Sequence, residues 1–144
     1  MNSDIWTGTW EYALDTARWS LPGRSSFFRG QTMEVVAQGE EKLWIRNNHV
    51  YADGSKRSWV YDGAFDGKPY SVIWEDDGSL MTIIAFHMVT NVMGSDAYEK
   101  PAEDGKPVRG SEYFLLSESK VEVNGCITVG TDQYPYFEEW NRLS

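Results

Sequence analysis

Few side chains in this 144-residue chain could move a proton inside an apolar pocket. His87 stands in the apolar run from Leu80 to Val89. It lies at two-residue spacing from Met81, Ile83 and Ala85, so strand alternation puts it on their face. If that face turns inward, the imidazole is a general base or acid for work near neutral pH. A structural histidine bonded to a neighbour is the plainer account. Glu34, Asp62, Glu112 and Glu138 also fall within strand-like stretches. An inward carboxyl there would hold its proton tightly and could donate it. Asp62 alternates opposite Trp59 and Tyr61 and reads as outward, whereas Glu138 shares parity with Tyr134 and Tyr136. Tyr61, Tyr70, Tyr113 and Tyr136 could offer hydroxyls that orient a mostly apolar ligand. For any one tyrosine, core packing is the simpler account. The catalytic set that results is His87, Tyr61 and Glu138.

Other chemistries find little support. The two histidines, His49 and His87, have no H-x-H or H-x-x-x-H spacing, so no metal site is expected. A single cysteine, Cys126, excludes an intrachain disulfide and a thiolate cluster. The chain has no P-loop, no GxGxxG and no G-x-S-x-G, and implies no cofactor. A formal net charge of −9 argues against nucleic acid and anionic membrane as partners. The start, MNSDIWTGTW, lacks the basic residues and apolar run of a signal peptide. The apolar run at Ile83 to Val89 is broken by His87 and is too short to span a bilayer. The expected location is the cytoplasm.

The elements that must position these groups are strands. Arg57 to Trp74 reads as a hairpin whose bulky face carries Trp59, Tyr61 and Phe65, then Tyr70, Val72 and Trp74. Asp66-Gly67 suits the two positive-φ positions of a type I′ turn between its arms. Upstream, strands are expected at Ile5 to Tyr12, at Gln31 to Gln38, and from Leu43 toward Tyr51. Asp15 to Trp19 reads as a helical turn and the run to Gly30 as a loop. Downstream, strands are expected at Leu80 to Val89, Asn91 to Lys100, Val108 to Ser117, Lys120 to Gly130 and Tyr134 to Arg142. A polar turn, PAEDGKP, covers Pro101 to Pro107, and a bulge is expected at Asn124-Gly125. Turn signals at Gly39-Glu40, Asp53-Gly54 and Asp77-Gly78 separate the rest. This pattern predicts an all-β single domain over 1–144, an antiparallel up-and-down barrel of about 8–10 strands. Leu80 to Val89 is apolar on both faces and needs cover on both, from a loop or helix laid over the outside or, the favoured expectation, from the second subunit of a homodimer.

Gly8-Thr9-Trp10 resembles the opening G-x-W motif of lipocalins and the wider calycin group. DTARWS, the strand at Gln31 and the W-x-Y-x-x-x-F-D-G-K-x-Y stretch from Trp59 to Tyr70 resemble small bacterial lipocalin-like proteins. The resemblance implies a lipocalin-like barrel with an apolar cup. It also implies an arginine near the end of the chain stacked on the motif tryptophan, a place open to Arg142 against Trp10. Fold does not fix function, since such barrels serve as carriers and also as lyases, isomerases or cyclases. The leading expectation is binding of an apolar, cyclic small molecule. Trp59, Tyr61, Phe65, Tyr70, Trp74, His87, Tyr113 and Tyr136 would line its cup, with Trp10 at the base. The alternatives are a cofactor-independent cyclase, isomerase or lyase in the same cup, and a protein-interaction module with a filled interior.

Overall fold

The structure, a computed structural model, describes residues 3–22, 28–89, 92–99 and 108–144, with backbone alone along 88–89 and 92–99. A short 3-10 helix, Ser3–Trp6, precedes β1 (Gly8–Tyr12) and β2 (Arg18–Trp19). Then come β3 (Phe28–Gln38), β4 (Lys42–Tyr51), β5 (Lys56–Gly63), β6 (Pro69–Trp74) and β7 (Leu80–Val89). β8 (Val92–Glu99), β9 (Val108–Leu116), β10 (Lys120–Val129) and β11 (Asp132–Arg142) complete the chain. From β3 to β11 each strand pairs antiparallel with the next in sequence. β1 pairs with β3 on one side and with β11 on the other, Trp10 facing Arg142. β1 and β3 to β11 thereby form a closed ring of ten strands, an up-and-down barrel. Closure leaves no open sheet edge along the ring, which removes the usual site of edge-to-edge aggregation.

Alternation decides which side chains point inward. Gln31, Met33, Val35 and Ala37 on β3 are buried, as are Leu43, Ile45, Asn47 and His49 on β4. Their sequence neighbours Glu34, Arg46 and Asn48 face out, and Arg46 bridges Glu34 at 3.4 Å and Glu75 at 2.6 Å. Three Asp-Gly turns share one device. The carboxylates of Asp53, Asp66 and Asp77 accept hydrogen bonds from the N–H two residues on, at Ser55, Lys68 and Ser79. Hydrogen bonding to the charged form holds all three carboxyls below the ordinary aspartate range, the main partners being the hydroxyls of Ser55, Tyr70 and Ser79.

The base is closed by the two ends of the chain. Trp10 is fully buried and donates from Nε1 to the Trp6 carbonyl at 2.9 Å. The Arg142 guanidinium lies 4.2 Å over the Trp10 ring. It donates to the carbonyls of Thr7 at 2.9 Å, Ile5 at 2.5 Å and Glu118. Gly8 has φ 145°, and a Cβ there would stand 2.5 Å from both Arg142 Nη1 and the Ser144 carbonyl oxygen. Only glycine admits that approach without strain. The arginine expected on the motif tryptophan is therefore in place.

Several local expectations need correction. Residues 15–19 do not form a helical turn. A turn at residues 14–16 leads into β2, which pairs with β11 at Tyr136 and Phe137. The first strand begins at Gly8, because residues up to Trp6 are wound into the plug at the base. The β5–β6 link is a five-residue connection over 64–68 rather than a two-residue turn. Phe65 is drawn into the core there, and Tyr61 donates its hydroxyl to the Ala64 carbonyl at 3.1 Å. No bulge interrupts β10, whose register with both neighbours is continuous through Gly125. A Cβ on Gly125 would fall on the Tyr136 ring, so the glycine makes room for an aromatic. Register shifts occur instead between Phe28 and Gly30 and between Val72 and Ile73. The turn expected over Pro101 to Pro107 lies outside the described residues.

Candidate functional site

The strands enclose a cavity of about 390 Å³. Trp6 forms its floor, with ring centroids 5.5 Å from Phe114, 6.1 Å from Phe86 and 6.4 Å from Phe65. Phe86 and Phe114 stand on the wall, whereas Phe65 packs outside it. The 3-10 helix explains this position, since it folds the first tryptophan of the chain back under the lumen. Its indole is 1% exposed and its Nε1 has no hydrogen-bond partner.

Rings crowd the upper wall on the β3–β6 side. His49 on β4 lies 5.0 Å from Phe28 and 5.9 Å from both Tyr51 and Trp74. Trp59 closes the group at 6.3 Å. Trp59 and Trp74 face each other across β5 and β6 in register. The back of Trp74 is covered by the Arg57 guanidinium at 4.0 Å. Arg57 is held there by Asp76 at 2.8 Å and Asp77 at 3.3 Å, and the Asp76 hydrogen bond raises its already high pKa. On the far side Trp19 stacks on Tyr136, with centroids 3.9 Å apart and planes within 3°. Trp19 Nε1 donates to the Tyr12 hydroxyl at 3.2 Å.

Polar groups are set among the rings. Gln31, Asn47, His49 and Thr82 are all more than nine-tenths buried and line the cavity. Asn47 Oδ1 has no hydrogen-bond partner. Glu112 on β9 and Glu138 on β11 also line it. No group of three metal-ligating side chains occurs among the described residues.

Of the residues expected in the cup, Trp59, Trp74, Tyr136 and Glu138 are on the cavity wall. The others are placed elsewhere. Trp10 lies beneath Trp6, so the floor is one aromatic layer above the motif tryptophan. Tyr61 and Phe65 are buried in the packed base, and burial pushes the Tyr61 phenol well above the usual tyrosine range. Tyr70 is off the cavity wall and donates to Asp66 at 2.6 Å, which raises its own pKa. Tyr113 is 56% exposed on the outer surface. Thr82, Ile84 and Phe86 are the inward set on β7, so alternation turns His87 outward with Ile83 and Ala85. The expected parity was reversed because both faces of this strand are apolar. Met81, which pairs with no residue of β6 at the register shift, joins the inward set.

Among the cavity residues that the sequence reading missed are the rings of Trp6, Trp19, Phe28, His49 and Tyr51 and the polar side chains of Gln31, Asn47 and Thr82. For His49 and Tyr51 a signal existed. Leu43, Ile45, Asn47, His49 and Tyr51 alternate in one phase, and Leu43 and Ile45 fix that phase as inward. Comparisons with family models, with curated proteins and with solved structures returned no match. The barrel, its paired ends and its cavity therefore carry the functional argument.

Proposed function

We propose that this protein is a lipocalin-like carrier that takes a small, ring-containing apolar molecule into its barrel. The cavity carries this reading. Its volume of about 390 Å³ falls in the range of small-ligand sites, and its wall joins broad aromatic faces to a few buried polar groups. The Arg142–Trp10 pair and the helical plug beneath the lumen support placement among calycin-like barrels. The open lumen speaks against the interaction-module alternative, which required a filled interior. The test is native mass spectrometry of the purified protein, followed by titration of its tryptophan fluorescence with aromatic probes. One-to-one binding that weakens at least tenfold in Trp59→Ala and Trp74→Ala supports the reading. Failure of every probe to bind saturably, together with a ligand-free mass, overturns it.

A catalytic reading keeps one supporting observation, since Glu112 and Glu138 share the cavity with His49. Such a cup could run a cofactor-independent cyclisation, isomerisation or elimination by positioning and proton transfer. The acid would be Glu138, with His49 taking the place first given to His87. Glu138→Gln would then abolish turnover while binding survives.

A further inference from the structure

One rung of the barrel joins an unmet polar group to two broad rings. Asn47 on β4 pairs in register with Met33 of β3 and Trp59 of β5, and Trp59 pairs with Trp74 of β6. All four line the lumen. Residues directly opposite on neighbouring strands stand about 5 Å apart at Cβ, so the Asn47 side chain and the Trp59 indole are immediate neighbours. Asn47 is 6% exposed and its Oδ1 has no hydrogen-bond partner. A buried acceptor left unmet is costly, and a guest N–H would satisfy it. The same amide carries two N–H donors beside that oxygen. Gln31, a second buried amide, is its diagonal neighbour on β3, since Gln31 pairs with His49.

Two further observations agree. At the floor Trp6 Nε1 is a donor without a partner, so the lumen favours a guest with acceptors as well as donors. β4 stands five places from β9 around the ring of ten, and that opposite wall carries Gly110 and Glu112. Gly110 has no side chain, which leaves depth for a flat ring system against the indoles. A lone hydroxyl or amine would answer the Asn47 oxygen only. A ring N–H next to a ring carbonyl answers both halves of the amide, as a carboxamide does when it pairs with two adjacent positions of a nucleobase edge. We propose that the ligand is a flat, fused-ring lactam. Its N–H donates to Asn47 Oδ1, its carbonyl accepts from the Asn47 amide, and its rings lie against Trp59 and Trp74. This inference rests on the carrier reading above and names its ligand class.

Two isomers of one size test it: 4-methyl-2-quinolinone, which keeps the lactam N–H, and 1-methyl-2-quinolinone, which lacks it. A third probe, 2-methylnaphthalene, has a similar outline and no polar group. Each is titrated into the intact protein at neutral pH by calorimetry. The 4-methyl isomer should bind about tenfold more tightly than the 1-methyl isomer. Asn47→Leu should shrink that gap to about threefold or less, and Asn47→Ser should do the same should the leucine variant fail to fold. Isomers that bind alike in the wild type, or a gap that survives in a folded variant, overturn the lactam inference while the carrier reading stands. Binding of 2-methylnaphthalene alone has the same two consequences. If none of the three binds, the inference falls together with the cavity reading. The wild-type comparison alone decides the matter should neither variant fold.

Discussion

The Arg142 guanidinium serves four backbone carbonyls, those of Ile5, Thr7, Glu118 and Ser144, and covers one face of Trp10. Arg142→Met would keep the aliphatic stem and lose the four hydrogen bonds and the cation–π contact. We expect it to cost about 2–4 kcal/mol in urea denaturation, from lost charge-assisted hydrogen bonds and cation–π attraction. Tyr61 offers a second residue-scale test. Its buried hydroxyl serves the Ala64 carbonyl, so Tyr61→Phe should cost about 1–2 kcal/mol at neutral pH. The same phenol gives a pH dependence. Its folded pKa is raised by burial, so as pH climbs past the ordinary tyrosine value of about 10 the unfolded chain loses that proton first. The unfolded state then binds fewer protons than the native one. Stability should hold below that pH and decline above it, and Tyr61→Phe should flatten the decline. Alkaline urea titrations that give parallel slopes for the two proteins would refute the assignment.

At the scale of elements, β10 shows how a missing side chain shapes a wall. Gly125 lies under the Tyr136 ring, and Tyr136 in turn stacks on Trp19 of β2. Gly125→Val would displace the ring and break the stack that joins β2 to the barrel. The expected result is a loss of about 1–3 kcal/mol from overpacking and a changed Trp19 emission. An unchanged near-ultraviolet circular dichroism spectrum would count against it. The sequence placed all ten strands of the ring, because alternation and Asp-Gly turns are local signals. It misplaced the short β2, because a two-residue strand has no period to read. It misjudged the β5–β6 link because burying Phe65 outweighs the preference of Asp66-Gly67 for a tight turn. His87 was lost for a related reason. A strand apolar on both faces carries no phase, and only its neighbours β6 and β8 set which side is in.

For the whole molecule, Trp6 is the floor on which the lumen rests. It is 1% exposed, and three phenylalanine rings pack around it. Trp6→Ala should cost about 3–5 kcal/mol by cavity formation. It should also deepen the lumen, so that longer apolar ligands bind relatively better than short ones. Equal stability of variant and wild type would show that the plug is not packed as described. The sequence by itself determined the strand order, the absence of a disulfide framework, and the G-x-W signature of a closed base. Those features are written in short spacings and in residue counts. Tertiary structure alone decided that Trp6 rather than Trp10 floors the cavity, and that His49 rather than His87 looks inward. It also set Asn47 opposite Glu112. These follow from ring closure, which brings strands distant in sequence to opposite sides of one lumen, a relation that no local periodicity encodes.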